Sequence, residues 1–233
     1  MTTPPEPDRI TGPLKTWYDL HEALAHEVTA IADDADGLSP DHLDALAERF
    51  WAFQDELRAH SEVEDGIMFP AIVDRGGDID AALGDEHRAE QLASYAFGSA
   101  LLHARATRTQ DAVGALATPA AELRDSLLAH LTSEEATALT QVDGLFSDAE
   151  QAALFHTIIS SLPSDPRLQP WVAAALSPEH LEARLRNIAS STPQPVMTAM
   201  MRQIHDGVDA STWAEIESRT PQLAALVTRG GTS

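Results

Sequence analysis

Apolar residues recur along the first 145 residues at intervals of three and four, the spacing that gives an α-helix one buried face. Broken by turn signals, this pattern predicts four long helices, over about residues 13–35, 40–74, 79–117 and 119–143. Short connections between long helices favour antiparallel neighbours, and therefore an up-down-up-down four-helix bundle. No stretch alternates apolar and polar residues with period two, so the chain is predicted to be all-α.

The same pattern divides the chain into three segments. Residues 1–12 are predicted to form a disordered N-terminal tip, and residues 13–146 the four-helix bundle. Residues 147–233 are predicted to form a C-terminal extension of shorter helices, because prolines interrupt them often.

Capping residues support these helix boundaries. A serine or threonine just before a proline favours a helix start, because its side chain can accept a hydrogen bond from a first-turn backbone N–H. Such starts stand at Thr11-Gly12-Pro13, Ser39-Pro40, Thr118-Pro119 and Ser177-Pro178, and Ser147 with Glu150 predicts a capping box.

Each predicted long helix carries one histidine within its apolar stripe. These histidines are His21, His60, His87 and His130, and the second and fourth are followed four residues later by Glu64 and Glu134. Residues four apart share a helix face, so each His and Glu can reach one centre. Burying a carboxylate without a partner costs several kcal/mol, and imidazole with carboxylate suits iron, manganese or zinc. The pattern therefore predicts a metal site inside the bundle.

Other metal motifs do not fit the spacing. His21 and His26 lie five residues apart, about 140° round a helix, so they cannot share a metal as the histidines of a zincin do. No histidine has a glutamate three residues before it, which excludes the Glu-x-x-His pattern of ferritin-like di-iron sites. A buried, hydrogen-bonded His–Glu pair without metal is the simpler alternative for each helix taken singly.

Composition limits the partners. There are 15 basic and 37 acidic residues, a formal net charge of −22, and such a field repels nucleic acid and anionic membrane surfaces. Cysteine is absent, which excludes disulfides and thiolate ligands. No run approaches the roughly 18 apolar residues of a membrane span, and no secretory signal begins the chain. We therefore expect a cytoplasmic protein that binds neither nucleic acid nor membrane.

Two segments contain the His-x-x-x-Glu pairs: His60-Ser-Glu-Val-Glu64-Asp65, which runs into Ile67-Met-Phe-Pro70, and His130-Leu-Thr-Ser-Glu134-Glu135. They resemble the hemerythrin family, in its bacterial HHE cation-binding branch. The resemblance covers about residues 13–145 and implies two iron ions with an oxo or hydroxo bridge, held by carboxylates that bridge the pair. The ligands it implies are His21, His60, Glu64, His87, His130 and Glu134.

The third helix departs from the pattern of the oxygen-carrying hemerythrins that this chain resembles. Those proteins have a second histidine one turn after the first, at the place of position 91 here. This chain has Gln91, with Glu90 beside it, and either side chain could supply the ligand. Otherwise one iron keeps an open position, which favours reactivity over reversible oxygen storage. The acidic neighbours Asp65 and Glu135 are expected to face outward or to hydrogen-bond a ligand.

The resemblance implies a non-haem di-iron protein that binds or reacts with dioxygen, peroxide or nitric oxide. Its partners would be that small ligand and a reductant, and the chain would be a monomer or a homodimer. If it turns over, it is a di-iron oxidoreductase. Two alternatives stay open: an oxygen or metal carrier or sensor without turnover, and a helical interaction module whose buried polar cluster fixes helix register.

Overall fold

The computed structural model describes residues 12–162 and 165–229. Every regular element within these two ranges is helical, which confirms the all-α prediction. None of the described helices is long and apolar enough to cross a membrane. The predicted disordered tip, apart from Gly12, and the capping residue Thr11 lie outside the described residues.

The four longest described helices, of 20 to 27 residues, all lie before residue 138. In chain order the described helices are α1 Thr16–Ala35, α2 Leu43–Val63, α3 Phe69–Asp74, α4 Ala81–Thr107, α5 Gln110–Gly114, α6 Ala117–Thr137, α7 Val142–Leu145, α8 Asp148–Ser161, α9 Leu168–Ala175, α10 Pro178–Ser191, α11 Gln194–Gly207, α12 Ala210–Arg219 and α13 Pro221–Arg229. A π-helical turn, Glu64–Met68, joins α2 to α3 without a break. Single 3₁₀ turns stand at Pro13–Lys15, Pro40–His42 and Leu139–Gln141.

The chain forms two compact units, and α1 contributes to both. Among the described residues, the first unit is Leu24–Leu145. The second unit is residues 12–23 together with the described residues from Phe146 onward.

In the first unit, α4 packs along α6 and also against α2. The start of α2 lies beside the end of α4, and the end of α2 lies near the start of α4. Asp44, near the start of α2, accepts a hydrogen bond from Arg105 near the end of α4 at 3.0 Å, whereas Glu64 after α2 contacts His87 near the start of α4. These two helices are therefore antiparallel.

The first unit has a core of buried apolar side chains from α2, α4 and α6. Phe50 of α2 and Phe97 of α4 are fully buried and meet edge to face, with ring centroids 4.8 Å apart. Aromatic pairs in this geometry contribute about 0.5–1.5 kcal/mol beyond the area that they bury. Further buried apolar residues of this core are Phe53, Leu57, Leu101, Leu123 and Leu127.

The second unit has its own core and a buried ion pair. Arg184 of α10 donates to Asp19 of α1 at 3.2 Å and to the Thr16 carbonyl at 3.2 Å. Burial raises the pKa of the Asp19 carboxyl against the opposing effect of Arg184, and burial lowers the pKa of the Arg184 guanidinium. The apolar cluster of this unit includes Val172, Leu185, Met197, Met201, Ile204 and Ile216.

Three predicted helix starts are confirmed. Ser39 and Ser177 accept hydrogen bonds from Asp41 and His180 backbone N–H groups, and Ser147 forms the capping box with Glu150.

The prediction for Thr118 was wrong, because α6 begins at Ala117. Pro119 is then the third helical residue. Its missing N–H costs nothing there, since first-turn N–H groups have no partner within the helix.

The predicted helix over 79–117 was wrong at its C-terminal end. Helix α4 stops at Thr107 because Arg108 adopts a left-handed conformation with φ 52°. Left-handed backbone ends a helix, and Thr109 then caps the separate short helix α5.

Candidate metal centre

His60 and Glu64 lie together at the junction of α2 and the π-helical turn. The His60 Nε2 atom is 3.0 Å from Glu64 Oε1, and both side chains are buried. A π-helical turn is rare and is found often at functional sites. Here it also shifts the buried face by one position. Continuing the spacing of three and four residues beyond His60 and Glu64 leads to Ile67, but Ile67 is only half-buried and Met68 is buried.

His87 of α4 lies between two carboxylates. Its Nε2 atom is 3.2 Å from Glu64 Oε2, and its Nδ1 atom is 3.1 Å from Asp65 Oδ1. Phe69 stacks on the ring, with centroids 5.9 Å apart and planes 10° apart. The two oxygens of Glu64 therefore face histidines from two different helices, His60 of α2 and His87 of α4.

The third side of the cluster comes from α6. The His130 ring lies edge-on to the His87 ring, with centroids 4.4 Å apart. Its Nε2 atom is 3.9 Å from Glu134 Oε2, and its Nδ1 atom is 3.3 Å from Glu86 Oε2. His130 and Glu134 are both buried, which the apolar stripe of α6 predicts.

These side chains form two groups that share Glu64. Ligand atoms of His60, Glu64 and Glu134 all lie within 4.8 Å of one another, and so do ligand atoms of Glu64, His87 and His130. Three imidazoles and two carboxylates, all buried, match the donors that iron, manganese and zinc accept. The donor set therefore fits a metal cation.

The remaining predicted ligands lie on α1 and α4. His21 is buried on α1, in the part of that helix that belongs to the second unit, with Tyr18 edge-on at 6.4 Å. On α4, Glu90 is buried with 3% of its surface exposed, whereas Gln91 is exposed. Spacing alone left Glu90 and Gln91 equivalent, because both lie within one turn of His87.

The cluster favours a positive charge. Burial on its own lowers the pKa of the His87 imidazole, but the hydrogen bond and charge of Glu64, helped by Asp65 and Glu90, raise it to about 9. A proton on His87 thus compensates part of the carboxylate charge in the metal-free protein. A metal cation at Nε2 would replace that proton.

A groove of about 740 Å³ lies between α2 and α4 and reaches the cluster. His87 and Glu90 line it together with exposed residues of both helices, among them Arg58, Asp65, Gln91 and Tyr95. Ser94 and Gln54 close part of its length with a hydrogen bond of 3.1 Å. A small molecule could therefore approach the cluster from this side.

Two carboxylates, Asp65 and Glu86, contact histidines of the cluster from its outer side. The sequence predicted the first of these contacts and not the second. Asp65, adjacent to Glu64, contacts His87 as expected. Glu86 was missed, because its contact with His130 depends on the packing of α4 against α6, which no motif within a single helix encodes.

Comparison with known proteins agrees with the residues of this cluster. A family model described as hemerythrin HHE cation binding domain matches residues 12–142. Zinc finger protein BRUTUS from Arabidopsis thaliana is 26% identical over 192 residues, which are 78% of this chain but 15% of that protein. The chain thus spans less than a sixth of that relative. No solved structure matches.

Proposed function

The chain belongs to the hemerythrin HHE cation-binding domain family, and from this premise we propose that it is a non-haem di-iron protein that binds or reacts with dioxygen, peroxide or nitric oxide. One observation carries the proposal. The two carboxylate oxygens of Glu64 lie 3.0 and 3.2 Å from Nε2 atoms of two different histidines, His60 and His87. A carboxylate held in this way suits a bridge between two cations.

The bundle of the family is the fold that we propose for residues 13–146. Its four helices would be α1, α2 continued into α3, α4, and α6, in up-down-up-down order, with the helices from α8 onward as the extension. The antiparallel contacts of α2 with α4 support this order. The contact of His130, late in α6, with Glu86, early in α4, supports it for that pair as well.

We assign the ligands from the two groups and the family pattern. Glu64 and Glu134 would bridge the two irons, His60 would hold one of them, and His87 and His130 would hold the other. The family pattern adds His21 of α1, which is buried.

Glu90 would be the additional donor on α4 in place of the histidine that oxygen carriers have at position 91. It is buried three residues after His87, whereas Gln91 lies on the exposed side of the same turn. Gln91 would then line the entrance rather than bind metal. An anionic oxygen ligand in place of a neutral imidazole stabilises the more oxidised metal, which favours reaction over reversible binding.

When bound, an iron pair supplies a redox-active centre with room for a small exogenous ligand. The chain's own residues control access to it. The groove between α2 and α4 admits a molecule the size of peroxide beside Glu90, and the stacked Phe69 ring shields the other face of His87. Asp65 also lines the groove and is exposed to solvent.

The experiment compares the iron-loaded wild type with Glu64→Gln. Glu48→Gln is the matched control, because Glu48 is exposed on α2 and is not among the residues that line the groove. We would add hydrogen peroxide, oxygen and nitric oxide in turn and record optical spectra and peroxide consumption.

Three outcomes separate the functions. Peroxide consumption by the wild type and the control, lost in Glu64→Gln, supports an oxidoreductase. Spectral changes without consumption support the carrier or sensor alternative. No response of the iron-loaded wild type to any of the three ligands contradicts the proposal.

A further inference from the structure

Two histidines of the cluster are each held from outside by a carboxylate. The His87 Nδ1 atom is 3.1 Å from Asp65 Oδ1, and the His130 Nδ1 atom is 3.3 Å from Glu86 Oε2. The rings are buried, with 7% and 1% of their side chains exposed, whereas the carboxylates reach the surface, with 59% and 34% exposed. Both pairs therefore connect the interior to solvent.

The chemistry of these groups dictates the direction of each hydrogen bond. An ionised carboxylate only accepts hydrogen bonds, and a neutral imidazole carries one N–H. The Nδ1 atom must therefore donate to its outer carboxylate. A cation that binds Nε2 takes the place of any proton there and leaves the ring neutral, with its one N–H at Nδ1. In both rings Nε2 is the atom on the inner side, 3.2 Å from Glu64 for His87 and 3.9 Å from Glu134 for His130.

We propose that Asp65 and Glu86 are positioning residues that fix His87 and His130 as Nε2 ligands. The inference rests on the metal centre of the proposed function. Carboxylates that hold the second nitrogen of a ligating histidine set its tautomer and ring orientation, and their loss costs about 10–100-fold in metal affinity.

The two carboxylates act across helix boundaries. Asp65 in the π-helical turn holds the histidine of α4, and Glu86 of α4 holds the histidine of α6. Glu64 and Asp65 are consecutive, and together they contact both nitrogens of one ring, His87. The turn that places Glu64 inside thus also places Asp65 where it can orient the ring.

The test uses zinc as a diamagnetic probe, so that it does not depend on turnover. We would load the full chain, labelled with ¹⁵N-histidine, with zinc and assign the nitrogen that carries the proton in each ring by NMR. Zinc affinity would be measured by competition with a chelator. The variants are Asp65→Ala and Glu86→Ala, and the controls are Glu62→Ala and Asp85→Ala, which lie beside them on exposed surface and pair with Arg58 and Arg88.

We expect Nδ1–H and Nε2–zinc for His87 and His130 in the wild type. Each alanine variant is expected to bind zinc about 10–100-fold more weakly, with altered resonances of the histidine that it contacts, while the controls match the wild type. Asp65→Asn keeps an accepting oxygen without the charge, so it should restore the tautomer and only part of the affinity. Circular dichroism would verify the helical content of each variant.

Two results would overturn the inference alone: a protonated Nε2 on either ring of the zinc-loaded wild type, or variants with the affinity and resonances of the wild type. A wild type that binds neither zinc nor iron would overturn the proposed function as well, and so the two failures are distinguishable.

Discussion

Replacing Glu64 by glutamine in the metal-free protein should remove much of a pH dependence that its carboxylate creates. In the wild type, the pKa of His87 lies at about 9 instead of 6.5, with the hydrogen bond and charge of Glu64 as the largest favourable cause. At 1.36 kcal/mol for each pH unit, this difference corresponds to roughly 3 kcal/mol of folding free energy. His87 is 7% exposed, so solvent screens this interaction little.

The sign follows from proton binding. Between pH 6.5 and 9 the folded chain keeps a proton on His87 that the unfolded chain has lost, so stability falls as pH rises through this range. The contribution is complete below 6.5, where both states are protonated, and is lost above 9.

Urea unfolding in the presence of a chelator, followed by circular dichroism across this pH range, measures the effect. We expect the wild type and the exposed-site control Glu62→Gln to lose roughly 3 kcal/mol between the two ends of the range. Glu64→Gln should lose clearly less, because Asp65 and Glu90 alone then raise the pKa of His87. A Glu64→Gln variant with the same pH dependence as the wild type would refute this reasoning.

Three further predictions concern stability and are checked by urea unfolding at one pH. Arg184→Met should lower the free energy of unfolding by about 3–5 kcal/mol, because it leaves the buried Asp19 without its cation. Replacing both partners by apolar residues should recover most of that loss. Equal stability of the single and double variants would count against this explanation. Phe50→Ala should cost about 3–5 kcal/mol by leaving a cavity in the core of the first unit, and a cost below about 1 kcal/mol would mean that the site is loosely packed. Gly77→Ala should lower the free energy of unfolding by about 1–3 kcal/mol, because its Cβ would stand within 2.7 Å of two apolar side chains. Gly144→Ala is the control, because nothing lies within 4 Å of its Cβ. Equal effects of the two substitutions would contradict the clash.

The sequence predicted well what depends on one helix. His60 and Glu64 lie four residues apart, and so do His130 and Glu134. Each pair was expected on one face, and both are buried together. The helical periodicity that placed these pairs also predicted the all-α fold, because the apolar stripe and the polar interruptions share a single face.

Features that depend on packing between helices could not be predicted in the same way. Glu90 and Gln91 both stand within one turn of His87, and the packing of α4 against α2 and α6 decides which of them is buried. The contact of Glu86 with His130 joins α4 to α6 and has no signature in either helix. The π-helical turn that buries Met68 instead of Ile67 inserts one residue into a regular stripe, which a fixed period cannot anticipate.

The iron content per chain tests the central claim most directly. We would express the wild type, Glu64→Gln and Glu62→Gln in iron-supplemented medium and measure metal by mass spectrometry against protein concentration. The shared Glu64 predicts two irons per chain in the wild type and the Glu62 control, and fewer than two in Glu64→Gln. One iron or none in the wild type, or two retained in Glu64→Gln, would contradict a centre bridged by this carboxylate.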